Sequence, residues 1–128
     1  PSTDEEAFRQ AVVTQDKAEA FRQLAKLSVP DVVEHMPNEA VIVARWLAED
    51  DRLIQASELV RRVLRFHRPP TVDQAEVYFT LGFIRMQQGQ PTSAYQHFMD
   101  ALDFNPRPET EERIRNALSL INVYRRRT

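Results

Sequence analysis

Apolar residues recur along this chain at helical spacing, i, i+3, i+4, with almost no stretch alternating as a half-buried strand would. Ala7, Phe8, Ala11 and Val12 form one stripe, and Ala20, Phe21, Leu24 and Leu27 form another. The break between them, near Gln15–Asp16, is weak, so residues 4–28 fit one long helix or two short ones. Pro30 ends this segment, and residues 31–36 read as a turn or a short helix. From Pro37, Val41, Ala44, Leu47 and Ala48 share a face with Trp46 beside it, and the core is its expected place. Asp50–Asp51 marks a turn before a helix carrying Ala56, Leu59, Val60, Val63 and Leu64, closed by Pro69–Pro70.

Helix-boundary chemistry agrees with these stripes. Thr3-x-x-Glu6 and Thr71-x-x-Gln74 have the spacing of capping boxes. The helix after Thr71 carries Val77, Tyr78, Leu81 and Ile84, and ends at Gly89. Pro91 has the fixed φ of a first helical turn. Ala94, Tyr95, Phe98, Ala101 and Leu102 then face one side as far as Asn105–Pro106. A last helix opens at Pro108. Its acids Glu109, Glu111 and Glu112 suit the positive end of the helix dipole, and Arg125–Arg127 suit the negative end.

Gly82 and Gly89 are the only two glycines in 128 residues. Gly89 has a role as a helix stop. Gly82 sits inside a helical pattern, where glycine costs about 1 kcal/mol relative to alanine, and so requires a packing reason. Within Ala75–Pro108 the order is Tyr78, Leu81–Gly82, Gly89, Ala94, Phe98, Ala101–Leu102 and Pro106. This order and spacing resemble one tetratricopeptide (TPR) repeat, whose period is about 34 residues. The segment departs from the family pattern at Arg85, where a large aromatic is usual, and at Pro91, where tyrosine is frequent. Aligning Ala56 with Ala94 gives a degenerate upstream repeat, in which Ala44 matches Gly82, Val60 matches Phe98 and Val63–Leu64 match Ala101–Leu102.

The resemblance implies an all-α fold, a right-handed α-solenoid of antiparallel helix pairs with flanking helices. Residues 1–128 form one domain: an N-terminal helical segment (1–36), a degenerate repeat (37–70), a clear repeat (75–108) and a capping helix (109–128). Residues 4–28 within the first segment are either a further degenerate pair or one long covering helix. The resemblance also implies a non-enzymatic adaptor, scaffold or chaperone-like module that binds a protein or peptide in a concave groove. The groove positions are Asn38, Val41, Arg45, Ala48 and Glu49 on the degenerate repeat, and Glu76, Phe79, Phe83, Met86 and Gln87 on the clear one. The basic clamp that some family members close on a chaperone's C-terminal carboxylate has no counterpart at Glu76, Phe79, Thr80 and Phe83. A hydrophobic or mixed ligand is therefore expected. The alternative is a structural self-assembly domain whose groove is filled by its own helix or by a second copy, in a homo-oligomer.

Charge and composition narrow the field. Hydrophobic residues make up 42%, enough for a packed core, and the formal net charge of −2 argues against binding nucleic acid by global charge. Arg61, Arg62, Arg65 and Arg68 form a local basic stretch around His67. It reads as a solvated outer face, with an anion-binding module as the competing idea. Cysteine is absent, which removes disulfides, cysteine–zinc sites and thiol nucleophiles. No phosphate loop, nucleophile elbow or H-E-x-x-H occurs, and His35, His67 and His97 are not at ligand spacing. No catalytic residue, metal or cofactor is expected, and Asp50–Asp51 reads as a solvated turn. No apolar run reaches the roughly 18 residues of a membrane span. A cytoplasmic location is expected, with a periplasmic or membrane-tethered one as alternatives. The start at Pro1 fits an excised domain or a processed form.

Overall fold

The computed structural model describes residues 3–66 and 72–126, with side chains as far as residue 122. The described residues form helices α1 (Thr3–Val13), α2 (Lys17–Lys26), α3 (Val29–His35), α4 (Pro37–Glu49), α5 (Leu53–Phe66), α6 (Gln74–Gln87), α7 (Pro91–Leu102) and α8 (Pro108–Arg126). No strand occurs among them, so the chain is all-α.

Three turns repeat one geometry. Gln15, Asp51 and Gly89 each adopt the left-handed conformation, at φ 60°, 62° and 73°. After each, the next amide donates to the carbonyl five residues back: Asp16 to Ala11 (2.8 Å), Arg52 to Leu47 (2.9 Å) and Gln90 to Arg85 (2.9 Å). The left-handed residues themselves donate three back, to Val12, Ala48 and Met86. This double bond pattern is the Schellman stop, which satisfies the orphan carbonyls at a helix end. In each case the next helix begins two residues after the left-handed one. Three helix hairpins result, α1–α2, α4–α5 and α6–α7, each packed along its length and then against its neighbours. The architecture is a helical repeat in which α3 is inserted after the first hairpin and α8 follows the third.

The helix boundaries decide one choice the sequence left open and differ from expectation at two others. Residues 4–28 hold two helices because Gln15 takes the left-handed turn and the Asp16 carboxylate accepts the Glu19 amide at 3.1 Å. Pro30 does not end a helix; it occupies the first turn of α3, capped by the Ser28 hydroxyl, which accepts the Asp31 amide at 3.2 Å. The first turn is where proline's missing N–H costs nothing. The cap of α6 is Asp73, which accepts the amides of Ala75 and Glu76. Thr71, the expected cap, and Pro69–Pro70 lie outside the described residues.

The core follows from which helices are apolar all round. On α4, Ala40–Ala48 is buried throughout except for half-buried Ile42. On α6, Val77 and Ile84 belong to a large cluster with α1 to α5, while Phe79 belongs to a second cluster with Phe98, Ile114 and Ile121. Helices with no polar stripe are interior ones, and α4 and α6 lie against each other at the centre. Trp46 is core, 8% exposed, with the Lys17 ammonium 5.8 Å from its ring centre.

Gly82 accounts for the closeness of α6 and α7. A Cβ built there would stand 2.5 Å from Cε1 and 2.6 Å from Cδ1 of Phe98, well inside van der Waals contact. Only a bare backbone admits that ring. In the register of the turns, Ala44 and Val60 take the corresponding places in α4 and α5, and both are fully buried.

Candidate functional site

The expected groove positions lie on α4 and α6, which pack side by side, with α8 against the other flank of α6. Their side chains fall into three groups by exposure. Val41, Arg45, Ala48 and Phe79 are buried; Glu76, Phe83 and Met86 are half-buried; Asn38, Glu49 and Gln87 are exposed.

The buried group centres on Arg45. Its Nη1 donates to Glu76 Oε2 at 2.6 Å and to Thr80 Oγ1 at 3.4 Å. The guanidinium also lies 5.1 Å from the centre of the Phe79 ring, a cation–π placement. The second oxygen of Glu76 accepts the Thr110 hydroxyl of α8 at 2.5 Å. One carboxylate thus joins α4, α6 and α8. Burial alone would push the Glu76 carboxyl up. The Arg45 guanidinium, the hydrogen bonds from Thr110 and Arg45, and the nearby Arg107 outweigh it and hold the group below its ordinary range.

These contacts correct the expectation that Val41, Arg45 and Phe79 face an open groove. Val41 is fully enclosed in the larger core cluster. Arg45 is 8% exposed because its charge is matched from α6. Phe79 is 6% exposed, tilted against Phe98 at 5.9 Å between centres and covered by Ile114 and Ile121. The stripe Phe79, Phe83, Met86 is therefore divided. Phe79 and Met86 turn toward α7 and α8, whereas Phe83 packs toward α4.

The exposed members also have local partners. Asn38 Oδ1 accepts the Asp73 amide at 2.8 Å, which ties the start of α4 to the start of α6. Glu49 pairs with Lys17 at 3.0 Å, and Gln87 Nε2 donates to the Ala48 carbonyl at 3.3 Å. What remains accessible along α4 and α6 is a strip of exposed Asn38, Glu49 and Gln87 with half-buried Phe83 on the α4 side and half-buried Met86 on the α7–α8 side. Sequence spacing brought the ten positions onto two adjacent helices but did not reveal the Arg45–Glu76–Thr110 node. Nothing in the sequence singled out Thr110, and partners 31 and 34 residues apart leave no local pattern.

The other titratable candidates are dispersed. His35 is exposed, and its Nδ1 lies 2.9 Å from Glu5 Oε1; that hydrogen bond raises its pKa. His97 is half-buried beside Tyr78, with ring centres 6.2 Å apart, and burial and Arg85 lower its pKa against the pull of Asp100. Tyr78 in turn stacks on Phe104, at 5.5 Å and nearly parallel. Asp50 and Asp51 are exposed turn residues. Arg61, Arg62 and Arg65 are exposed on α5, while His67 and Arg68 lie outside the described residues. Among the described residues no group of three or more His, Asp or Glu side chains could hold a metal ion, and no helix is long and apolar enough to cross a membrane. No protein-family model matches the chain, and no curated protein or solved structure matches it either.

Proposed function

We propose that this chain is a non-enzymatic protein-interaction module of TPR-like helix pairs, with a peptide partner lying over the accessible strip of α4 and α6. The carrying observation is the α6–α7 contact, where Gly82 admits the Phe98 ring, in a chain whose three hairpins share one turn geometry. A stack of such pairs presents its first helices side by side, the usual basis of binding surfaces in helical repeats. On this strip Phe83 and Met86 supply half-buried apolar contacts, while Asn38, Glu49 and Gln87 supply a polar margin. A mixed apolar and polar peptide suits it better than an acidic tail.

A photo-crosslinking residue at Gln87 tests this, with one at Asn116 on the exposed face of α8 as control. A partner protein should crosslink from position 87 and not from 116, and Phe83→Ser should abolish the product. Equal crosslinking from both positions would overturn the reading.

The second reading is a structural domain whose own last helix fills the groove. The Thr110–Glu76 hydrogen bond and the cover that Ile114 and Ile121 give Phe79 favour it. Under this reading position 87 would crosslink to no other protein, and removing α8 would unfold the third hairpin.

A further inference from the structure

The most sharply divided helix of the fold is α5. Ala56, Leu59, Val60 and Val63 are buried, whereas Ile54, Glu58, Arg61, Arg62 and Arg65 stand in water. Beside it runs a trough, because α3 rather than α2 packs against much of α5. One hollow of about 270 Å³ is floored by Phe21, Leu24, Leu27, Val29 and Leu47. A second, of about 100 Å³, adjoins it through Leu24, Val29 and Gln55, and reaches Leu59 and Arg62. A third, of about 190 Å³, continues along α5 between Glu58, Arg61, Arg62 and Arg65. The trough therefore has an apolar floor rimmed by Arg52 and Gln55 at one end and is cationic at the other.

Its charge is one-sided. Four arginines, Arg52, Arg61, Arg62 and Arg65, line it against the single acid Glu58. Arg52 is engaged, donating to Gln55 at 2.9 Å and lying 5.3 Å from the Phe21 ring centre. Arg61, Arg62 and Arg65 make no ion pair among the described residues. The exposed face of α8 offers a contrast within the same molecule. There Arg113 and Arg115 alternate with Glu109, Glu111 and Glu112, and Arg115 pairs with Glu111 at 3.4 Å. Mixed signs of that kind serve solubility. A strip of unpaired arginines, on a chain of net charge −2 and beside an apolar floor, has the charge that would complement an acidic surface.

We propose that the α2–α5 trough docks an acidic amphipathic segment of a partner protein, with its apolar side chains over Leu24 and Val29 and its carboxylates toward Arg62 and Arg65. The floor of the hollow offers apolar contact, and guanidinium groups favour bidentate carboxylate contacts. This surface is built from α2, α3 and α5 with Leu47 of α4 beneath it, and shares no residue with the strip on α4 and α6, so it stands or falls separately from the reading above.

The test uses the whole chain and three labelled peptides followed by fluorescence anisotropy. The first joins a Leu/Phe-rich half to a Glu/Asp-rich half, the second replaces the acids by lysine, and the third keeps the acids and replaces the apolar residues by serine. The first should bind, and the other two should bind roughly tenfold or more weakly. Arg62→Glu with Arg65→Glu should weaken the first peptide by a similar factor. Gln55→Trp, which fills the junction of the two apolar hollows from an exposed position, should do the same. Arg113→Glu with Arg115→Glu on α8 should not. Each variant is checked for helicity, and all these sites are exposed. Equal binding of the first and third peptides would overturn the proposal, as would equal loss in the α8 variant. Tighter binding of single-stranded RNA or anionic vesicles than of the first peptide, lost in the Arg62/Arg65 variant, would assign the strip to those ligands instead and overturn it too.

Discussion

Gly82 of α6 faces the ring of Phe98 of α7 so closely that a single added methyl group would fall 2.5 Å from a ring carbon. Phe98 is 1% exposed, so its ring has nowhere to swing. Two effects oppose each other in Gly82→Ala. Helix propensity gains about 1 kcal/mol, and overpacking costs about 1–3 kcal/mol. The contact is short and its partner is a rigid buried ring, so overpacking wins. Gly82→Ala should lower stability by roughly 1 kcal/mol net, and Gly82→Leu by more. Urea denaturation reads both, and an unchanged or raised midpoint for the alanine variant would contradict the close contact.

The three matching turns give a second expectation. Gly89 adopts φ 73° with open space around it, so Gly89→Ala meets backbone strain and no clash. A side chain in the left-handed region costs roughly 1 kcal/mol. Gln15 already bears that cost at φ 60°. Gln15→Gly should therefore stabilise the chain by up to about 1 kcal/mol, less what the freer unfolded chain gains in entropy. Opposite shifts in thermal midpoint for Gln15→Gly and Gly89→Ala are the expected result.

The turns also show what was legible in the sequence. The α6–α7 hairpin could be read because glycine marks both its stop and its close contact. The α1–α2 hairpin has the same stop built on Gln15, and glutamine gives no such signal, so one helix and two remained equally good readings. Pro30 read as a terminator because proline breaks helices in their interiors, yet in the first turn of α3 it is tolerated. For the site, periodicity correctly placed Arg45 and Glu76 on neighbouring helices. Their pairing, and the cover that α8 lays over Phe79, depend on how the helices stack, which spacing along one helix does not encode.

The Arg45–Glu76 pair should be costly to break from one side and cheap to replace from both. Arg45→Met leaves a largely buried carboxylate with only Thr110 and distant charge, at a cost of roughly 2–4 kcal/mol, discounted slightly for the residual exposure of the pair. Arg45→Met with Glu76→Gln removes the stranded charge and should recover a large part of that loss. A double-mutant cycle by denaturation measures the coupling. Simple additivity of the two losses would show that the pair does not hold the helices together.

Stability should fall toward acid for two separable reasons. Glu76 has a lowered pKa in the folded chain, so its contribution is present above its ordinary value of 4.5 and is lost as pH falls through the folded value. His97 also has a lowered folded pKa, so the unfolded chain takes up its proton first, and stability declines as pH drops below 6.5. His35 has the opposite sign: its raised pKa gives stability below 6.5 that disappears as pH rises through the folded value. Melts between mildly acidic and neutral pH should separate the two histidines. His97→Gln should reduce the acid-side loss, and His35→Gln should deepen it. A pH profile unchanged in both variants would contradict these environments.

Phe79 and Phe83 are one helical turn apart and look alike in the sequence, yet they should respond differently to truncation. Phe79 is 6% exposed, between Phe98 and the Ile114–Ile121 side of α8. Phe79→Ala should carry the cost of removing a buried phenylalanine, about 3–5 kcal/mol, together with the lost contact to the Arg45 guanidinium. Phe83 is half-buried against the α4 side. Its truncation forfeits less buried area, so it should cost about 1–2 kcal/mol at 25 cal/mol per Å² of apolar surface. Binding should show the reverse order. Measured in conditions where both variants are folded, partner crosslinking from position 87 should survive Phe79→Ala and be lost with Phe83→Ala. If both variants melt alike and bind alike, the two rings share one environment, and the division of the stripe between α4 and α8 is wrong.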